Sequence, residues 1–424
     1  MQRFQGLFGI ILILTIAYLF SNNKKRINYR LVFSGLALQI LIAVAVLKVP
    51  FITNFFKALG RVIGHIEEFA KEGASFVWGG IYVSNPGVAG GLSPYSAPGG
   101  FIFAFSVTAT IILVCALVAI FYHFGIMQRV VSIIAKAMNF IMKVSGAESL
   151  SNVASAFVGQ VEAQVMIRPY LAGMTMSELL ASMSGSLACI AGGILIVYVN
   201  MGAKAEYLLT ASLMAAPAAL VISKIVWPET EESQTMGSVK LEVKTPYRNV
   251  IDAITHGAAD GMRIAVNVIA MIIGFIALIA LVNFLLGKIG GWSHLDFKLS
   301  LDWLFSKLFY PFAWAMGVPT SDVGSVATLL GKKITVNEFV AFLDLTTGNN
   351  GALPLKDTLS PKALLIASFA ICGFANFSSV GMQIGGIGEL APSRRGDLAR
   401  LGMRALLCGT LASYLSATIA GILM

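Results

Sequence analysis

The chain has 424 residues, 57% of them hydrophobic and only 12% charged, with a mean hydropathy of +0.81. This excludes an ordinary soluble enzyme, whose surface needs roughly twice that share of charge, so lipid must replace water over much of the exterior. The formal charge of +9 does not indicate a nucleic-acid partner, because the Lys and Arg residues lie between apolar stretches, as topology signals do.

A spanning helix needs roughly 20 mostly apolar residues. Eight stretches predict one: 4–20, 32–47, 101–124, 179–201, 207–226, 262–286, 363–387 and 401–423. The first resembles the apolar core of a signal peptide. Lys24, Lys25, Arg26 and Arg30 follow it rather than a small-residue cleavage site, so a retained span is expected. Eight spans leave both termini on one side of the membrane. The basic clusters after span 1, after span 3 (Arg129, Lys136, Lys143) and before span 8 (Arg394, Arg395, Arg400, Arg404) then share the other side. The positive-inside rule makes that side cytoplasmic and puts the N-terminus outside. Residues 49–72 alternate aromatic and charged faces and predict an outer interfacial helix. Residues 75–100, rich in Gly, Pro and Ser, predict a loop, and 228–248 a polar cytoplasmic linker. The expected organisation is 1–125 with spans 1–3, and 126–227 with an interfacial helix, a first hairpin and spans 4 and 5. The linker follows, then span 6 within 249–298, and a second hairpin with spans 7 and 8 within 299–424.

Two regions fit neither a span nor a soluble loop. Residues 147–172 and 308–342 are apolar but interrupted by Gly, Pro, Gln, Asn and Glu. Such backbone survives at membrane depth only where protein or a water-filled cavity covers it. Each precedes a Gly-interrupted span, at 188–193 in the first case and at 373–379 and 385–388 in the second. One region starts inside and the other outside, which predicts an inverted repeat of re-entrant hairpin plus broken helix, with a binding site near the midplane. Gly-rich stretches that only let helices pack closely are the alternative.

Glu162 in the first hairpin and Glu338 in the second are the costly residues. An ionised carboxylate in hydrocarbon costs at least ~2.5–3.5 kcal/mol, so each needs a partner or a task. Gln160 and Asn337 stand beside them, and Asn376, Ser378 and Ser379 lie in the break that follows. No Lys or Arg stands out at the same depth, although Arg168 is close to the first hairpin, so the expected ligand is neutral or cationic rather than an organic anion. Gln160 can donate to and accept from a base edge. Phe374 offers an aromatic face. The four cysteines lie in apolar segments without C-x-x-C spacing, and His65, His123, His256 and His294 are scattered, so no metal cofactor is expected. Nucleotide-binding and hydrolase motifs are absent from the sequence, so any uphill work comes from an ion gradient. A passive channel needs a continuous polar stripe, and here the polar residues cluster at the hairpins instead.

The strings that carry these residues resemble the concentrative nucleoside transporter family. They are 157–163 (FVGQVEA), 168–170 (RPY), 228–231 (PETE), 337–341 (NEFVA) and 373–379 (GFANFSS), in family order across almost the whole chain. The resemblance implies an all-α polytopic membrane protein with eight spans and two hairpins, assembled as a homotrimer in a bacterial inner membrane. It would import nucleosides by an elevator movement and not act as an enzyme. It also implies that Gln160, Val161 and Glu162 face the nucleobase, that Glu338, Asn376 and Ser379 face the ribose, and that Ile194, Ile264 and Phe374 wall the base. Val161 stands where many members carry a hydroxyl. The family's sodium site pairs an Asn side chain and a Ser or Thr hydroxyl with two main-chain carbonyls. The matching positions are Ser155, Cys189, Val158 and Ile190. Sodium prefers oxygen, so the Cys189 thiol is a poor ligand. Ser at the first position also occurs in members resembling proton-coupled carriers. Sodium stays slightly ahead as the coupling ion, with the proton close behind and Glu162 or Glu338 as its carrier.

Overall fold

The computed structural model describes residues 2–78, 103–236, 247–292, 299–348 and 353–424, and among them every regular element is helical. The predicted 75–100 loop, the middle of the 228–248 linker and His294 fall largely outside the described residues. Helix α1 (Gln2–Leu19) and α2 (Tyr29–Lys48) follow the first two apolar stretches, and Asn28 opens α2 by accepting a hydrogen bond from the Leu31 amide at 3.2 Å. The amphipathic segment is helix α3 (Pro50–Trp78). It runs into the predicted loop and leaves Phe51, Phe55, Phe69 and Phe76 exposed by the chain's own packing. Helix α4 (Phe103–His123) and α5 (Ile126–Met142) meet at a 73° bend. Gly125 makes that bend with φ 70°, a conformation that costs glycine nothing.

The first repeat comprises α6 (Gly146–Ser155), the short α7 (Glu162–Val165) and α8 (Arg168–Leu171), α9 (Met176–Ala188), α10 (Gly192–Asn200) and α11 (Ala205–Val226). Capping boxes start α6 and α9: Ser145 with Glu148, and Thr175 with Glu178. Each satisfies two backbone donors that would otherwise be orphaned. The second repeat follows helix α12 (Val250–Trp292), α13 (Leu301–Leu308) and α14 (Tyr310–Ala315). It comprises α15 (Val323–Thr335), α16 (Glu338–Thr346), α17 (Leu355–Thr358), α18 (Pro361–Ile371), α19 (Phe377–Leu390) and α20 (Arg395–Leu423). Helices α9, α11 and α20 pack on one another and are far more buried than α2, the remaining helix long and apolar enough to span.

Three sequence expectations are corrected. The second hairpin is α15–α16 and not residues 308–342. Gly317 at φ 89° and Pro319 separate α14 from it, so the stretch up to Asp322 is a preceding helix and turn. The 385–388 glycines lie inside an unbroken α19, and the break in that span is 372–376. Span 6 starts twelve residues earlier than the apolar pattern, at Val250, and α12 has 43 residues. At 1.5 Å per residue it is about 65 Å long, twice a bilayer's ~30 Å core, so its polar first turns need not be buried in lipid. Gly257 and Gly261 in that extension lie against α4: a Cβ on Gly261 would stand 2.7 Å from the Ile112 Cα, and one on Gly257 2.7 Å from the Cys115 carbonyl oxygen. This small-xxx-small spacing lets α12 lie along α4 backbone to backbone. By length and composition four described helices can span a membrane alone: α2, α9 with α10, α11 and α20 with the turn before it. The other predicted spans are short (α1), bent (α4–α5), halved (α18–α19) or polar over their first turns (α12).

Candidate functional site

The two broken spans meet at their breaks. The Phe374 amide donates to the Cys189 carbonyl at 3.2 Å, tying residue 374 of one break to the first residue of the other. Gly373 takes φ 124°, and a Cβ there would stand 2.4 Å from the Ala188 carbonyl oxygen, so only glycine allows the approach. The first hairpin's tip joins the same crossing, with the Gly192 amide donating to the Phe157 carbonyl at 3.2 Å.

Glu338 opens α16 and is buried beside the second break. Its Oε2 accepts from Asn376 Nδ2 at 2.9 Å and its Oε1 from the Tyr198 hydroxyl at 3.2 Å. Asn376 is itself the cap of α19, its Oδ1 accepting from the Ser379 amide and the Ser378 hydroxyl, each at 2.8 Å. The carboxylate therefore sits at the start of one half-helix and against the capping residue of another, where both dipoles favour negative charge. Tyr198 is fixed by stacking on Phe342, with centroids 4.3 Å apart and planes 20° off parallel.

Glu162 opens α7 with its carboxylate over Gly159, and lines a cavity of about 520 Å³. Ile194 and Ile264 line it too, joined by Tyr122 of α4, Asp260 of α12 and Tyr247 before it. Tyr247, outside the helices, keeps its proton: burial pushes its phenol up, and the Asp260 and Asp252 charges add to this. The mostly apolar wall with a few converging polar groups suits a flat, partly polar organic ligand. Gln160, in the same turn, is not on the wall, and its Oε1 accepts from Gln383 Nε2 at 3.4 Å. Val161 packs on Gly386 of α19, where a Cβ would come within 2.7 Å of its Cγ2. Phe374, Asn376, Ser379 and Glu338 form the polar crossing and are not on the cavity wall. The predicted residues thus divide: Glu162, Ile194 and Ile264 line the cavity, Glu338, Phe374, Asn376 and Ser379 lie at the crossing, and Gln160 and Val161 face α19.

At the position implied for sodium, the Ser155 hydroxyl donates to the Ser151 carbonyl and lies 2.8 Å from the Ser186 hydroxyl. The Cys189 thiol lies 3.8 Å from the Ser212 carbonyl. Among the described residues no hydrogen bond reaches the carbonyls of Val158 or Ile190. Two free carbonyls and one shared hydroxyl offer fewer oxygens than a hard cation normally takes.

Sequence reading missed Tyr198, Gln383 and Asp260, although a lone phenol in the apolar run of α10 was a signal that its hydroxyl needs a partner. It also missed a basic residue at hairpin depth. Lys333 of α15 is fully buried, and its Nζ donates to the Ala370 carbonyl at 3.0 Å and to Ser413 Oγ at 3.2 Å. Arg168, the basic residue the sequence singled out, is exposed.

Sequence profiles described as "Na+ dependent nucleoside transporter" match residues 8–81 (N-terminus) and 207–421 (C-terminus), and one described as "Nucleoside recognition" matches 104–205. The chain is 41% identical to a transporter, YutK, of Bacillus subtilis (strain 168), over 98% of both proteins. It is 37% identical to the nucleoside permease NupC of Helicobacter pylori, over 99% of this chain and 98% of that one. The solved structure of CNTnw in an inward-facing substrate-bound state superposes with a TM-score of 0.90 at 38% identity, covering 100% of this chain and 98% of CNTnw. With an all-helical fold, paired hairpins and breaks, and these relatives along its whole length, the chain is a membrane transporter and not an enzyme, and it belongs to the concentrative, Na+-dependent nucleoside transporter family.

Proposed function

We propose that the chain is an ion-coupled symporter that imports nucleosides, with the ribose hydroxyls donating to Glu338 and the base seated against Glu162, Ile194 and Ile264. The observation that carries this reading is the buried Glu338 carboxylate, held by Asn376 and Tyr198 at a junction of half-helices. A carboxylate so placed can accept from two vicinal hydroxyls, and the neighbouring cavity has room for a base. Gln160, Val161, Phe374 and Ser379 complete the proposed pocket. The hairpins with α9–α11 and α18–α20 would move as one transport unit past a static wall that includes α4 and α12. That is an elevator, within a homotrimer in a bacterial inner membrane, with the N-terminus outside.

Sodium is the first reading for the coupling ion, because the profiles that match the chain describe Na+-dependent transporters. The proton is the second, favoured by the thiol at Cys189 and the shared hydroxyl at Ser155. Uptake of labelled uridine and adenosine into proteoliposomes, under a sodium gradient or a pH gradient alone, separates them. Sodium-independent uptake at fixed pH rejects sodium. In the same assay Glu338→Gln should lower uptake about 100-fold, the loss of roughly 3 kcal/mol from two charge-assisted hydrogen bonds to substrate. Undiminished uptake by that variant removes Glu338 from the site.

A further inference from the structure

Lys333 is not used in the proposed transport cycle, yet it is among the largest fully buried side chains in the protein. Its neighbour Lys332 shows the ordinary solution for a buried lysine: two carboxylates, Asp344 at 2.5 Å and Asp302 at 3.1 Å. Among the described residues Lys333 has no carboxylate at ion-pair distance. Its two acceptors are neutral, and they mark one place. Ala370 is the penultimate residue of α18, so its carbonyl belongs to the last turn of a half-helix, whose carbonyls lack intrahelical partners. Ser413, the second acceptor, has its hydroxyl 3.2 Å from the carbonyl of Cys372, the first residue of the break, and 3.1 Å from that of Gly409 in its own helix. The ammonium thus stands at the negative end of α18, on the α18 side of the break, where half-helix ends in transporters bind cations.

The first repeat has the same architecture without the lysine. Ser155 ends α6 much as Lys333 lies at the end of α15, and its hydroxyl reaches Ser186 near the end of α9. Among the described residues no protein cation enters there, and that is the break at which a coupling ion is expected. We propose that Lys333 is a tethered cation, standing in the second break where the first takes an exchangeable ion. By closing the α18 terminus it positions Asn376, four residues beyond Cys372, and through it Glu338. This makes Lys333 a positioning residue for substrate. The proposal rests on the reading that Glu338 binds nucleoside.

Two variants test it, with purified protein in proteoliposomes and sodium and pH held constant. K333M keeps the volume and removes the charge, and should raise the uridine KM at least tenfold with a smaller change in Vmax. K333A leaves space for a free cation, so its uptake should be largely lost and then restored in part by methylammonium, but not by the bulkier tetramethylammonium. If K333A is too unstable to transport, thermal unfolding reads the same site: methylammonium should raise its Tm and leave that of the unsubstituted protein unchanged. A normal KM in K333M, or no effect of methylammonium on either uptake or Tm of K333A, overturns the proposal. Failure of the unsubstituted protein to take up uridine would instead strike the functional reading on which the proposal rests.

Discussion

Tyr198 combines two contacts in one side chain: its ring stacks on Phe342 and its hydroxyl donates to Glu338 at 3.2 Å. Tyr198→Phe removes only the second. A hydrogen bond to a charged group contributes about 1.5–3 kcal/mol, so the variant should fold normally and show a nucleoside KM raised about tenfold or more. Uptake kinetics check this, and an unchanged KM would mean that Tyr198 does not orient the carboxylate. At this scale the sequence was informative where a residue was anomalous in its own segment. Glu162 and Glu338 stood out because carboxylates are costly in an apolar stretch. Gln383 and Tyr198 did not, because their partners lie 223 and 140 residues away and nothing local marks the pairing. Lys333 was hidden by its surroundings: in a Gly-Lys-Lys string beside a turn, two lysines look solvated.

Helix α12 and its partner α4 show what an element needs beyond hydropathy. The apolar pattern predicted a start near residue 262, yet the contact is made by Gly257 and Gly261 before it. Gly261→Val would drive a side chain into the Ile112 backbone, and overpacking of this kind costs about 1–3 kcal/mol. The Tm in detergent should fall by several degrees. Gly274→Ala, at a position with nothing within 4 Å, should leave it unchanged or slightly higher. Equal Tm values for the two variants would remove the close α4–α12 contact as a source of stability. The hairpin boundaries follow the same lesson. Pro and Gly between 311 and 319 interrupt the sequence just as the real tip at 336–337 does, and periodicity cannot tell an approach helix from a hairpin arm.

Across the whole molecule, a buried ionic clasp holds the first repeat at the end remote from the break. Lys224 near the end of α11 lies 2.8 Å from Glu148 of α6 and 3.4 Å from Glu229, while Thr175 at the head of α9 donates to Glu229 at 2.8 Å. Glu178 of α9 accepts from Ser233 and Thr235 of the same strap. Lys224→Met leaves the Glu148 charge buried without its partner and should cost about 3–5 kcal/mol, read as a large fall in Tm. Glu148→Gln combined with Lys224→Met should recover most of that loss. A double variant no better than the single one would show that the pair does not act as a unit. The sequence by itself determined the membrane class, the number of apolar stretches and the two interrupted regions. All of these follow from composition, hydropathy and the placing of Gly, Pro and charge along the chain. Only the tertiary structure decided that the breaks cross, that Tyr198 and Asn376 share Glu338, and that Lys333 reaches the end of α18. Those facts depend on burial and on pairs far apart in the chain, and a local pattern carries no record of which distant group will satisfy a buried polar atom.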